Sequence, residues 1–252
     1  MNITKFLNKV YFAPRLKEIE QYTSHAGELQ QLVLQRLVRT AANTERGKKH
    51  DYASIRTYDD LKKSLPIQTY EEVNPYVTRL RAGEQNLLWP SEIRWFAKSS
   101  GTTNDKSKFL PVSRESLHDT HYKGGRDAVA IYLGQNPESR FFSGKGLILG
   151  GSHAPNLNTN HRLVGDLSAI LIENINPLVN FVRVPSKQTA LMEHFEPKME
   201  AIARETIHAN VSNLSGVPSW MLVLIKHILE KTGKQSLEEI WPNQEVFFHG
   251  GV

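Results

Sequence analysis

An α/β layered fold with at least some parallel sheet is predicted for this chain by three observations. Short apolar runs alternate with helix-length amphipathic segments from Ile93 onward. One of those runs, "GKGLILGGS", is continuous, apolar and bounded by glycines, the pattern of a strand buried on both faces. The residues before it, 1–92, carry helix signals almost alone, so a mainly helical N-terminal region (1–92) is expected ahead of an α/β portion (93–252).

Taken in order, "AGELQQLVLQRLVRTAANTERGKKH" repeats Leu29, Leu32, Val33 and Leu37 at helical spacing, which predicts a helix burying that face and ending near Gly47. "TYDDLKKSLP" offers Thr57 as N-cap before Asp59 and Asp60 and stops at Pro66. "TYEEVNPYVTRLRAGE" reads as a second short helix, broken around Pro75. "IRWFAKSS" is a strand end feeding a loop, and Ser113 caps a helix running from Ser116 to Leu133. "NFVRVPS" is a brief strand. "SKQTALMEHFEPKMEAIARETIHAN" and "VPSWMLVLIKHILEKTG" read as helices, the second closed by Gly233, and "QEVFFHGGV" as a last strand. A buried-looking strand that leads into a glycine turn and stops suggests a chain cut within a longer protein.

Composition bounds the function. The 252 residues, 39% hydrophobic and 23% charged, describe a globular protein rather than a disordered one. The net charge of +5 is spread along the chain instead of forming a stripe, which suits small anionic molecules and argues against nucleic acid as partner. With no cysteine, disulfides and thiolate chemistry are excluded, in keeping with a cytoplasmic setting. The apolar run "WMLVLIKHILE" carries Lys226 and falls short of the roughly 18–20 residues that span a bilayer, so no membrane partner is expected.

The segment "WFAKSSGTTNDKSKFLPVS" concentrates the chemistry. Walker A fails here because Gly101 is the only glycine in the loop. Gly144, Gly146 and Gly150 miss the dinucleotide fingerprint, since they flank a strand instead of joining strand to helix. What remains is a Ser-Ser-Gly-Thr-Thr run followed by Lys108. Its hydroxyls and backbone N–H groups can wrap a polyphosphate and the lysine can supply charge, or it is a solvated polar turn between two strands.

The order of motifs resolves that choice. "WPSEIRWFAKSSGTTNDKSKFLPVS" resembles the phosphate-binding motif of the adenylate-forming superfamily of acyl-CoA synthetases, luciferases and peptide-synthetase adenylation domains. "GEQNLLWP", "GKGLILGGS", "NVSNLSGVPSWM" and "EVFFHGG" narrow the resemblance to the Gretchen Hagen family of auxin-responsive acyl acid-amido synthetases, in its bacterial branch. Asn104 and Asp105 depart from the superfamily, which often places glycines there.

The resemblance implies the N-terminal part of an adenylate-forming fold, with the Ser-Glu element, the ribose-binding aspartate and the mobile C-terminal domain all beyond Val252. It implies a ligase that uses ATP with Mg2+ to turn a carboxylic acid into an acyl-adenylate and passes the acyl group to an amine, usually an amino acid's. This chain alone is then expected to be inactive. Ser99, Ser100, Gly101, Thr102, Thr103 and Lys108 would contact the phosphates, with Lys106 the rival for the charge role. His249, Gly250 and Gly251 align with the glycine turn against adenine, or form a tight turn after a strand. Val217, Pro218, Ser219 and Trp220 would border the acyl pocket, with core packing the competing reading for Trp220. No metal ligands are assigned: His118 and His121 have helical spacing but no third partner, and read as an exposed helix face. His153 and His161 flank a loop, and the absence of a G-x-S-x-G elbow leaves Ser99 and Ser100 without a nucleophile role. An acyl-CoA ligase and a non-catalytic scaffold that has kept the fold remain as alternatives.

Overall fold

The computed structural model describes residues 3–99 and 107–250. α1 (Ile3–Leu7) continues through a π turn, Asn8–Phe12, into α2 (Ala13–Ser24). α3 spans Ala26–Ala41, but its inward face is not the expected one: Val38 and Ala41 are buried, whereas Leu32, Val33 and Leu37 are 61%, 46% and 44% exposed. The helix carries a second small-apolar stripe, and periodicity alone does not say which stripe meets the core.

The helix also stops earlier than predicted. Thr44 accepts the Gly47 N–H at 2.9 Å and caps a separate helix, α4 (Glu45–Lys49). Gly47 is needed for close approach, because a Cβ there would collide with the Ala41 carbonyl oxygen. α5 (Tyr58–Ser64) starts from the expected Thr57 cap, a reciprocal box with Asp60. α6 (Tyr70–Arg81) starts from a second box, Thr69 with Glu72. It runs unbroken through Pro75, correcting the expected break. Proline removes one backbone bond, while Tyr76, Val77 and Leu80 bury themselves just beyond it; each such side chain contributes about 1.5–3 kcal/mol, enough to offset the loss.

β1 (Trp95–Lys98) and β2 (Phe109–Val112) pair antiparallel, and Ser113 caps α7 (Arg114–Ser116) by accepting the Ser116 N–H at 3.0 Å. The helical run continues through a π segment, Leu117–Tyr122, into α8 (Lys123–Gln135). Then come β3 (Lys145–Ile148), β4 (Leu163–Gly165), α9 (Leu167–Asn174) and β5 (Arg183–Val184). The segment expected as one helix after Ser186 is two, α10 (Lys187–Ala190) and α11 (Phe195–Thr206). β6 (Val211–Ser215), α12 (Pro218–Thr232) and β7 (Val246–Phe248) complete the order. Gly233 ends α12 in the left-handed conformation, φ 67°, as its position after the last periodic residue foretold.

Two compact units emerge. One comprises residues 15–127 and 155–164 and carries the sheet β2-β1-β4. The other comprises 1–14, 128–154 and 165–252 and carries β5-β3-β6-β7, in which β3 runs parallel to both β5 and β6, and β6 parallel to β7. Leu147 and Leu214 on its central strands pack against Met199, Ile202 and Ala203 of α11 and against Met221, Leu224 and Ile228 of α12. Trp241 closes this core, its indole N–H donating to the Thr206 carbonyl at 2.9 Å. The register pairs Ile148 with Ser215 and Ser215 with Phe248, so the loops after β3, β6 and β7 leave from one edge of the sheet.

Candidate functional site

In the first unit a two-stranded neck carries the two ends of the polar segment. Lys98 pairs with Phe109, and one step further the Ser99 N–H donates to the Lys108 carbonyl at 2.9 Å. Ser99 and Lys108 therefore face each other on the last rung, both partly buried. Ser100, Gly101, Thr102, Thr103 and Lys106 lie outside the described residues.

Two side chains that sequence reasoning missed support this neck from α6. The Lys108 ammonium stands over the Tyr70 ring, 5.4 Å from its centroid. The Tyr70 hydroxyl accepts the Phe109 N–H at 2.9 Å and faces the Phe109 carbonyl at 3.3 Å. Arg81 lays its guanidinium on the Phe109 ring, 3.9 Å from the centroid, and donates to the Leu157 carbonyl at 2.9 Å. No local pattern announces these residues, because their partners are distant in sequence.

On the helix side of β2, Glu115 gathers the upstream motif. Its carboxylate accepts from the Trp89 indole at 3.1 Å and from the Ser91 hydroxyl at 2.7 Å. Burial alone would raise the Glu115 carboxyl, but the hydrogen bonds, Ser91's foremost, hold it below its ordinary value. Of the two histidines read as an exposed helix face, His118 is exposed in the π segment and His121 is partly buried; among the described residues no group of three His, Cys, Asp or Glu could hold a metal ion.

In the second unit, the strand-end loops form another polar edge. Such edges, at the carboxyl ends of parallel strands, are where open α/β sheets bind ligands. The Gly216 N–H donates to the Phe248 carbonyl at 3.2 Å, which brings the start of the "GVPSW" turn beside the end of β7. His249 and Gly250 follow, both exposed, with the imidazole 5.4 Å from the Phe247 ring; Gly251 lies outside the described residues. Val217 precedes α12 and Pro218 begins it, while Val217, Ser219 and Trp220 are exposed. Core packing is overturned for Trp220: it is 51% exposed, with its ring edge-on to Phe195, centroids 4.9 Å apart, because Met221 takes the inward position on α12.

Lys198 was not foreseen. Only 3% exposed, it donates to the carbonyls of Gly150 and Gly151 at 2.8 and 2.9 Å, pinning the loop that leaves β3. The same loop is held by Ser168, whose hydroxyl accepts the Gly151 N–H at 2.8 Å, and by Asp166, which accepts the Ser152 N–H at 2.9 Å. Burial pushes the Lys198 ammonium below its ordinary pKa, with the Asp166 charge opposing.

Each unit thus presents a polar edge built on strand ends, one with a lysine at the neck of a hydroxyl-rich loop and one with glycine turns beside exposed apolar side chains. Comparison with known proteins assigns the chain to a family. The sequence matches the GH3 family N-terminal domain over residues 15–252. It is 31% identical over 104 residues to indole-3-acetic acid-amido synthetase GH3.5 of Arabidopsis thaliana, covering 41% of this chain and 17% of that protein. It is 29% identical over 106 residues to jasmonoyl-L-amino acid synthetase JAR4 of Nicotiana attenuata, covering 42% of this chain and 18% of that protein. The solved structure of GH3.15 acyl acid amido synthetase superposes with a TM-score of 0.74 at 16% identity, over 92% of this chain and 50% of that one. A second GH3.15 structure, in complex with 2,4-DB, gives 0.74 at 18%. The likeness to the two structures shows the fold, an α/β arrangement shared with about half the length of that chain.

Proposed function

The chain belongs to the GH3 family, and from that membership we propose that it forms the N-terminal part of an ATP-dependent enzyme that adenylates a carboxylic acid and conjugates it to an amino acid. The observation that carries this reading is the hairpin neck, where Ser99 and Lys108 stand opposite each other at the ends of the hydroxyl-rich loop. The relatives' names, an indole-3-acetic acid-amido and a jasmonoyl-amino acid synthetase, support the same class of substrates.

In the first step a carboxylate oxygen attacks the α-phosphorus of ATP, the bond to the β-phosphate's bridging oxygen breaks, and pyrophosphate leaves the acyl-adenylate. In the second the amine attacks the acyl carbon, loses a proton, and expels AMP. Both steps ask the protein mainly for positioning and for neutralising charge on the phosphates. Ser99, Ser100, Gly101, Thr102, Thr103 and Lys108 serve that need at the β- and γ-phosphates; His249, Gly250 and Gly251 lie against adenine; Val217, Pro218, Ser219 and Trp220 border the acyl group. The exposure of Trp220 and Val217 supports the last assignment, since a side chain sealed in the core could not meet a substrate. Mg2+, which the family resemblance pairs with ATP, would neutralise phosphate charge, and no residue of this chain is assigned to hold it. We read residues 1–92 as the helical region and 93–252 as the adenylating α/β portion, in the family's bacterial branch and in the cytoplasm. No helix among the described residues is long and apolar enough to cross a membrane.

Pyrophosphate release by the full gene product, measured against a panel of carboxylic acids, tests this. Release that requires the acid and yields amino acid conjugates supports it. Conjugation to coenzyme A instead would assign an acyl-CoA ligase, and absence of acid-dependent release across the panel would leave a scaffold.

A further inference from the structure

We propose that Tyr70 is a positioning residue for the polyphosphate, acting through Lys108; the inference rests on the phosphate reading of the loop and adds to it a residue outside every motif. Hydrogen bonding between β1 and β2 alternates along the hairpin. Because the Ser99 N–H bonds to the Lys108 carbonyl, the next residue on β2, Phe109, turns its own N–H and C=O away from β1. β2 is the edge strand of its sheet, so those groups would otherwise be left to water at the foot of the loop. Two residues on, Pro111 has no N–H to offer on the same side. The Tyr70 hydroxyl takes up the outward pair at Phe109, 2.9 Å from the nitrogen and 3.3 Å from the oxygen.

That anchor places the Tyr70 ring beside the preceding residue on β2, and there the Lys108 ammonium rests 5.4 Å from the ring centroid. A lysine on a flexible four-carbon stem normally loses much rotamer freedom when it engages an anion. Held over an aromatic face at the loop's mouth, Lys108 has given up part of that freedom in advance, and the cation keeps its free side for phosphate oxygens. Arg81 stacked on the Phe109 ring stiffens the same foot from the other side and brings a second positive charge near it. Tyr70 itself touches no phosphate in this scheme.

A double-mutant cycle separates positioning from general support. The probes are inorganic tripolyphosphate and ATP, titrated calorimetrically into the full gene product, its Tyr70→Leu, Tyr70→Phe and Lys108→Ala variants, and the Tyr70→Leu/Lys108→Ala double variant. Tyr70→Leu is expected to weaken binding about three- to tenfold, the range of a partly exposed cation–π contact, and to have little further effect once Lys108 is alanine. Tyr70→Phe keeps the ring and is expected to bind within about twofold of wild type while speeding hydrogen exchange at the Phe109 amide. Equal losses from Tyr70→Leu in both backgrounds, or a Tyr70→Phe loss as large as that of Tyr70→Leu, overturns the inference and leaves the phosphate reading standing. Wild-type protein that binds neither probe overturns both.

Discussion

The Ser99 N–H bonds to the Lys108 carbonyl at 2.9 Å, so the first and the last of the assigned phosphate contacts are tied together on one rung of a hairpin. That tie fixes where the Lys108 backbone stands whatever the loop between them does. In the full gene product, Lys108→Ala removes a charge-assisted contact worth roughly 1.5–3 kcal/mol, or about tenfold to a hundredfold in ATP-dependent kcat/KM, with little change in folding. Lys106→Ala is the control, carrying the same charge off the family spacing. Intact kinetics in the first variant and crippled kinetics in the second would show the loop register to be wrong.

Trp220 separates surface from core. With half its side chain exposed and one edge-on aromatic neighbour, Trp220→Ala is expected to shift unfolding free energy by no more than about 1 kcal/mol. If it borders the acyl group, the same change raises the KM for the carboxylic acid about tenfold, from roughly 1.5 kcal/mol of lost apolar contact, and leaves the KM for ATP alone. Equal KM values for acid in variant and wild type would remove Trp220 from the pocket.

Lys198 is expected to matter for stability and for its pH dependence. Lys198→Met keeps the aliphatic volume but strands the Gly150 and Gly151 carbonyls, a loss of about 1–3 kcal/mol. Burial lowers the folded pKa below the unfolded value of about 10.4, so between the two the unfolded chain binds the extra proton and stability rises with pH. Urea unfolding on the alkaline side of neutrality should show that rise in wild type and a flatter profile in Lys198→Met. A parallel rise in both would assign it elsewhere.

Arg15 and Asp127 predict the acid limb. The guanidinium, 4% exposed, grips the carboxylate at two points, Nε to Oδ1 and Nη2 to Oδ2, each at 2.7 Å. Arg15's hydrogen bonds hold Asp127 below its ordinary pKa against the opposing effect of burial. Such a depressed carboxyl contributes stability above its unfolded value of about 3.9 that is lost as pH falls through the folded value. Asp127→Asn should cost about 1.5–3 kcal/mol at neutral pH, because it takes the charge out of this two-point pair and leaves Glu18, 2.6 Å from Arg15 Nη1, as the anionic partner, and should blunt the acid loss. Thermal unfolding of both proteins from neutral pH downward reads both effects.

Several features were legible because their causes lie within a few residues. Thr57 before Asp60, Ser113 before Ser116 and Gly233 after α12 are satisfied by their own neighbours, and each sits where the local pattern places it. The strands on either side of the hydroxyl-rich loop follow from short apolar runs that end in polar residues, and "GKGLILGGS" supplies a central parallel strand because its apolar run buries Leu147 and Leu149.

Other features required the folded chain. α3 offers two apolar stripes, and the packing of Val38 and Ala41 leaves Leu32, Val33 and Leu37 outside. Pro75 breaks nothing because Tyr76, Val77 and Leu80 are buried beyond it. Trp220 and Met221 are adjacent apolar residues, and only the direction of α12 sends one to solvent and the other to the core. Tyr70 beneath Lys108 and Lys198 beneath Gly150 join residues whose separation along the chain carries no signal. The sequence by itself determined caps, strand ends and the chemistry of the loop, which are set by bonds a residue makes with its near neighbours. Tertiary structure decided which faces are buried and which distant side chains support the loops, since those outcomes depend on the surface each element meets.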